Sequence, residues 1–226
     1  DLLRLYAEET LRAPADRDGI LCMPRRPEKE QIWIDVVVPA TIYMLYAGLF
    51  FDEPQYIDFA IDQCFKMYDV FENPANGLLH QCRGFLPDVA AFSTDHWSRG
   101  NGWGYIGLTD LVAFLPHDHP QYGEVVRRFV KHSEAMLPWQ TDRGLWRQEL
   151  VEPLSWEESS GTGLILYGYG VGLRAGVLDK ARFLPAFRLG LDGLIRHCIN
   201  ADFSTERSCP GCLCAGYGAM KGTPQG

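Results

Sequence analysis

The chain repeats itself, and that repeat constrains its architecture more than any other feature of its 226 residues. Three short loop motifs align: Gly19-Ile20-Leu21-Cys22, Gly77-Leu78-Leu79-His80-Gln81 and Gly144-Leu145-Trp146-Arg147-Gln148. They start 58 and 67 residues apart, as copies of one supersecondary unit would. Each follows a turn rich in Asp or Asn (Ala15 to Asp18, Asn73 to Asn76, Thr141 to Arg143), a composition that ends a helix. After each comes a long apolar segment containing small residues, at 32–51, 97–115 and 160–178. A short break follows, then an amphipathic segment, at 55–71, 122–137 and 183–199. In the second of these, Val125, Val126, Phe129, Val130 and Met136 recur at helical spacing while Arg127, Arg128 and Lys131 fill the other face. Segments that are apolar all round are expected as buried helices, and one-sided segments as helices facing water.

Buried helices alternating with half-exposed ones describe concentric hairpins, an inner ring wrapped by an outer ring. The expected fold is therefore all-α, an (α/α)6 toroid. Open helical solenoids share the hairpin unit but use shorter repeats of about 34–47 residues. Six hairpins at the observed period need roughly 350 residues, so residues 1–226 are expected as one domain that forms part of such a barrel. The chain opens inside a running helix (Leu2, Leu3, Leu5, Tyr6, Leu11), and further sequence is expected ahead of it.

A net charge of −8 without a basic stripe excludes a nucleic-acid partner. No run of about 18 apolar residues stands out, so no membrane partner is expected. The seven Cys are odd in number and scattered, which does not make a disulfide framework. Cys209-Pro210-Gly211-Cys212 with Cys214 is half of a zinc site with no second pair, and reads as reduced thiols in a tight turn. A reducing, cytoplasmic location follows as the expectation. The glycines from Gly161 to Gly176 lie inside a helix, which excludes a phosphate cradle.

In a ring of hairpins, the loop motifs and the first turns of the inner helices gather at one mouth. Helix N-termini there offer unpaired N–H groups to an anion. Gln31-Ile32-Trp33-Ile34-Asp35 puts one acid at the start of an apolar helix, before Val36, Val37 and Val38. Asp35 either complements the helix dipole or, with its pKa raised by burial, serves as a general acid. Asp95-His96-Trp97-Ser98-Arg99-Gly100-Asn101-Gly102-Trp103 is the densest polar-aromatic cluster. Arg99 is placed to hold a carboxylate in two-point fashion or to pair with Asp95. Gly100 and Gly102 cost about 1 kcal/mol each in a helix, which implies close helix approach or room for a ligand. His80 stands where a base or donor to substrate would be, though a loop His is also ordinary polar surface. His117, His119, His132 and His197 fall in breaks or outer helices.

These motifs, in this order, resemble the unsaturated rhamnogalacturonyl hydrolases of glycoside hydrolase family 105, which are similar to the unsaturated glucuronyl hydrolases of family 88. Trp33-Ile34-Asp35 resembles the family's W-x-D. Trp97 to Trp103, followed by Leu108-Thr109-Asp110-Leu111, resembles its W-[SA]-R-G-x-G-W helix. Ser159-Ser160-Gly161-Thr162-Gly163 resembles its [ST]-S-G-[ST] helix, and Gly77-Leu78-Leu79-His80 its G-L-x-x-H loop. The likeness runs over roughly residues 18 to 218, and the second motif is the specific one.

The resemblance implies a hydrolase that removes a 4,5-unsaturated uronic acid from lyase-generated oligosaccharides, using neither metal nor organic cofactor. Asp35 matches the catalytic acid/base; His80, Asp95, Trp97, Arg99, Trp103 and Ser160 match substrate-binding positions. Three departures stand out. Cys22 to Pro27 lacks the His-Lys pair many members carry, a further active-site Asp belongs to a hairpin ahead of this chain, and Asp95 is displaced by one residue. A six-hairpin epimerase, whose chemistry needs His on inner helices, and a non-catalytic carbohydrate-binding paralogue are the alternatives; His96 is the one His near an inner-helix start.

Overall fold

A computed structural model describes residues 2–23 and 27–210. Pro24, Arg25, Arg26, Cys212 and Cys214, which carried expectations above, lie outside the described residues. Among the described residues are seven α-helices: α1 (Leu2–Leu11), α2 (Met44–Phe51), α3 (Pro54–Phe71), α4 (Ser98–Phe114), α5 (Tyr122–Met136), α6 (Ser159–Ala175) and α7 (Lys180–His197). The strands are two short antiparallel ladders, β1 (Ile32–Trp33) with β2 (Cys82–Arg83) and β3 (Trp146–Arg147) with β4 (Glu157–Glu158). The all-helical hairpin reading holds. α2 packs on α3, α4 on α5 and α6 on α7, while α4 also lies between α6 and the turns that precede α2. α2, α4 and α6 are thus inner helices, each backed by an outer one.

Small residues set how closely the inner helices approach. A Cβ on Gly161 would come within 2.4 Å of Ser98 Oγ and 2.7 Å of the Arg99 amide nitrogen, so the starts of α4 and α6 touch backbone to backbone. Further along, the core is aromatic. Tyr105 stacks on Phe129 and meets Tyr169 edge-on, and Tyr169 meets Trp146 and Phe183 the same way. All five rings are buried, in the offset and T-shaped arrangements that ring quadrupoles favour.

One expected helix is broken. Instead of a continuous helix over 32–51, the chain runs through β1, a 3-10 turn at Ile34–Val36, a π-turn at Val38–Tyr43 and then α2. Pro39 supplies the reason. An α-helix needs an N–H at position 39 to reach the Asp35 carbonyl, and proline has none, so the chain takes a tight turn and then a wide one. The same stretch corrects the reading that no run of about 18 apolar residues is present. Ile34–Phe51 is 18 residues at mean hydropathy 1.8, apolar enough by length and composition to cross a membrane. An inner element packed against α3 and α4 carries the same composition. The expectation of scattered, unpaired cysteines is corrected at Cys82, which is disulfide-bonded, and holds at Cys22, Cys64 and Cys198.

The loop motifs are one turn built repeatedly. In each, the first turn residue's amide donates to the carbonyl one past the glycine: Asp16 to Ile20, Asn73 to Leu78, Thr141 to Leu145. Gly19, Gly77 and Gly144 all have positive φ, between +74° and +85°. A fourth copy, which the repeat search did not find, follows α7. Asn200 donates to Ser204, Ile199 bridges Thr205, and Phe203 takes the glycine's place at φ +66°. Its ring is 87% exposed, so packing does not hold it there.

A left-handed conformation costs a non-glycine residue about 1–2 kcal/mol, and glycine's extra unfolded-state freedom returns about 0.4–1 of that. Phe203→Gly should therefore raise stability in urea denaturation by roughly 0.5–1 kcal/mol. Gly144→Ala should lower it by more than about 1 kcal/mol, since its Cβ would fall 2.2 Å from the Leu189 carbonyl oxygen. A destabilised Phe203→Gly would show that Phe203 makes a contact the turn needs.

Candidate active site

The inner helices begin at the same level because each is tied to the next repeat. The Ile34 amide donates to the Gln81 carbonyl at 3.0 Å, Ser98 to Gln148 at 2.8 Å and Ser159 to Arg207 at 2.9 Å. Trp33, Trp97 and Glu158 are the respective N-caps. Two residues past each cap stand Asp35, Arg99 and Ser160. Three of the expected site residues therefore hold one structural position in three successive hairpins, side by side around the mouth.

Arg99 is held firmly. Its Nη1 donates to Ser160 Oγ at 3.0 Å and to the Cys209 carbonyl at 2.5 Å, and its guanidinium lies 4.5 Å from the Trp97 ring centroid. Trp103 follows one turn later on the same face. The alternative of an Arg99–Asp95 pair is not what forms. Ser160 Oγ in turn donates to Glu158 Oε1 at 2.5 Å, so a hydroxyl relays between cation and carboxylate. Glu158 is fully buried and also accepts from the amides of Ser160, Gly161 and Cys209 and from Ser98 Oγ. Charge-assisted bonds of this kind fix both the start of α6 and the arginine.

Asp35 differs from that saturated carboxylate. Its Oδ2 is buried with no hydrogen-bond partner among the described residues. Burial pushes its pKa up, opposed by its own backbone hydrogen bond and by the Arg99 charge. One side of it borders a cavity of about 360 Å³ walled by Trp33, Val36, Pro39, Leu21 and Thr10, which is mostly apolar. The break at Pro39 places this acid on a tight turn rather than on a regular helix.

His80 sits beside Gln81, whose carbonyl binds Ile34, and so belongs to the Asp35 side of the mouth. Its Nδ1 is 2.7 Å from the Ser93 carbonyl. A carbonyl only accepts, so Nδ1 carries the proton and Nε2 is the acceptor. Burial lowers its pKa, which keeps the ring neutral. The ring stacks on Phe92 and leans on His96. His96 itself is fully engaged, Nδ1 with the Leu79 carbonyl and Nε2 with Asn73 Nδ2, both at 3.1 Å.

Asp95 lies deeper than a surface contact would require. It is 0% exposed, and burial pushes it up to about 6 against the opposing pull of the Ser93 hydroxyl and a backbone hydrogen bond. Its neighbour is Glu149, which sequence reading missed. Glu149 is buried, accepts the His96 amide on both oxygens at 2.8 and 2.9 Å, and is pushed up to about 8 by burial and then by Asp95 and Glu152. Gln148, Trp156 and Glu158 were missed too. Gln148 and Glu158 had signals, one ending a loop motif and the other standing immediately before a helix start. The bland reading of His132 is refined: it is buried, lowered to about 4, and holds the Gly77 carbonyl.

Residues 2–219 match the model of Glycosyl Hydrolase Family 88. The chain is similar to an unsaturated 3S-rhamnoglycuronyl hydrolase of Alteromonas sp. (strain LOR), 26% identical over 134 residues, 58% of this chain and 32% of that protein. A protein of the same description from Formosa agariphila is 33% identical over 94 residues, 41% of this chain and 25% of that protein. The chain thus spans between 25% and 38% of the length of the curated relatives it matches. Among solved structures, a possible member of the GH105 family from Salmonella enterica serovar Paratyphi A superposes with a TM-score of 0.88 at 20% identity. That superposition covers 100% of this chain and 60% of the other, and shows the toroid's hairpin fold.

The buried acid pair makes stability depend on pH. Folded Glu149 keeps its proton to about 8, whereas an unfolded glutamate loses it near 4.3. Between those values the folded state binds more protons, so stability falls as pH rises and levels off above about 8. Asp95, pushed up to about 6, acts in the same direction over the lower part of that window. Glu149→Gln, neutral throughout, should flatten most of the decline in urea denaturation between about pH 5 and about pH 8.5. An unchanged slope would mean that Glu149 does not hold its proton in the folded state.

Proposed function

The chain belongs to glycosyl hydrolase family 88, and on that premise we propose that it forms the acid- and arginine-bearing part of an enzyme that removes a 4,5-unsaturated uronyl residue from an oligosaccharide end. One observation carries this reading: a partly buried carboxyl with a raised pKa and an immobilised guanidinium occupy equivalent positions on adjacent inner helices. The similar proteins bear names that specify unsaturated rhamnoglycuronyl substrates, which have a carboxylate beside a carbon–carbon double bond.

In this reading Arg99 holds the uronate carboxylate, and Trp97 and Trp103 border the ring. Asp35, whose buried carboxyl is shifted toward its protonated form, gives its proton to C4 of the C4=C5 double bond. Positive charge develops at C5 and is shared with the ring oxygen. Water adds its oxygen to C5 and its proton returns to Asp35, which regenerates the acid. The hydrated ring is a hemiketal that opens to a ketone at C5. The aldehyde carbon then releases the neighbouring sugar as an alcohol. His80, neutral with Nε2 as acceptor, takes a hydrogen bond from a substrate hydroxyl. The epimerase alternative is disfavoured because His96 has both ring nitrogens engaged.

The test is to incubate full-length protein with a lyase-generated unsaturated disaccharide and follow the ultraviolet absorbance of the double bond. Wild type should consume it. Asp35→Asn should lower kcat by at least the ~10²–10⁴-fold of general acid–base loss while leaving binding intact. Arg99→Lys should weaken binding by roughly 1.5–3 kcal/mol. Because Asp35 acts first as an acid, kcat should fall as pH rises past its elevated pKa. A wild-type protein that leaves the absorbance unchanged overturns the reading. A folded Asp35→Asn that turns over normally transfers the acid role elsewhere.

A further inference from the structure

Beside Arg99 lies a cluster of three indoles, Trp97, Trp103 and Trp156, packed around Cys209. None of the three indole N–H groups has a hydrogen-bond partner among the described residues, although all three nitrogens are buried. The same holds for Gln148 Oε1, whose amide nitrogen donates to Cys209 Sγ at 3.1 Å. A buried donor left unpaired is costly, and native structures rarely keep one without a reason. Three such donors in one cluster, next to a guanidinium, match the chemistry of an acceptor-rich ligand.

Trp156 enters this cluster through the backbone. Its carbonyl takes the Gln148 amide at 2.8 Å, extending the β3–β4 ladder by one pair. The loop that delivers it is pinned to the start of α4, since Leu150 donates to the His96 carbonyl and Trp97 bridges Glu149. Trp156 is only partly buried, so the ring keeps an open surface while its nitrogen is covered. In ring order it precedes α6 and Ser160, on the side of Arg99 away from Asp35.

We propose that Trp156 is a further substrate-contacting, specificity-determining residue. Its indole N–H and ring face bind the acidic sugar whose carboxylate Arg99 holds, on the flank opposite Asp35. The inference rests on the hydrolase reading for the identity of the sugar. The donor set adds the chemistry: three indole N–H groups and a guanidinium against one glutamine oxygen select a carboxylate-bearing ring over a neutral one. Trp156 takes no part in proton transfer, so its effect falls on binding.

The test uses full-length Trp156→Phe, which keeps a ring but removes the donor, and Trp156→His, which restores a ring N–H. Three measurements are made together: kinetics on the unsaturated disaccharide, calorimetric Kd for glucuronate and for glucose, and Tm. Trp156→Phe should raise KM and the glucuronate Kd about tenfold, the loss of one hydrogen bond to a charged group. It should leave kcat and Tm near wild type, and Trp156→His should recover part of the loss. Unchanged KM and glucuronate Kd in Trp156→Phe overturn the proposal, as does a fall in Tm without a change in either. If wild type shows no turnover, the hydrolase reading fails, and the glucuronate Kd comparison still decides Trp156.

Discussion

Each inner helix begins with an amide that its own helix cannot satisfy, and the next repeat supplies the acceptor. Ile34, Ser98 and Ser159 give their N–H groups to the carbonyls of Gln81, Gln148 and Arg207. Those carbonyls sit four residues past Gly77, Gly144 and Phe203, so the height of each helix start is set by a turn of fixed shape. Side chains stitch the same seam. Asn101 grips the Leu79 backbone through both its oxygen and its nitrogen, and Thr162 accepts the Trp146 amide at the equivalent place. Lose the register of one turn, and the helix start beside it moves along the ring axis.

The chemistry of the mouth inherits that register. Asp35, Arg99 and Ser160 meet because they are the same residue of three copies, not because any of them is near another in sequence. Once level, they are differentiated by what surrounds them. Glu158 is saturated with donors and serves as a fixed anchor, holding Arg99 through the Ser160 hydroxyl. Asp35 has a buried oxygen with no hydrogen-bond partner among the described residues and an apolar cavity beside it. Two carboxylates on helix starts either side of α4 thus have opposite surroundings, one saturated with donors and one with a buried oxygen left open. Burial and the Arg99 charge pull Asp35 in opposite directions, which keeps a protonatable acid near a cation without surrendering it to a salt bridge.

Several features were legible in advance. The inner and outer helices followed from segments apolar all round and segments apolar on one side, since burial on several faces or on one leaves that imprint. The three loops were legible through Gly19, Gly77 and Gly144, because a left-handed turn favours glycine. The fourth turn was hidden because Phe203 occupies that conformation. The broken start of the first inner helix had a visible marker in Pro39, but hydrophobic periodicity outweighed it. Asp95 and Glu149 illustrate a different limit. They are separated by a hairpin in sequence, and their shared burial exists only after α4 and the loop before α6 have docked.

The sequence by itself therefore determined the hairpin period, the ring of buried helices and the residue types gathered at its mouth. Those follow from local rules, the conformational demand of a turn and the periodicity of an amphipathic helix. Tertiary structure alone decided which polar groups are satisfied and which are left open. Arg99 is paired with Ser160 and the Cys209 carbonyl rather than with nearby Asp95, and three indole donors near it lack partners among the described residues. Partnering depends on the distance and direction between groups on different elements. A linear pattern of residue types does not specify either until the repeats have locked together.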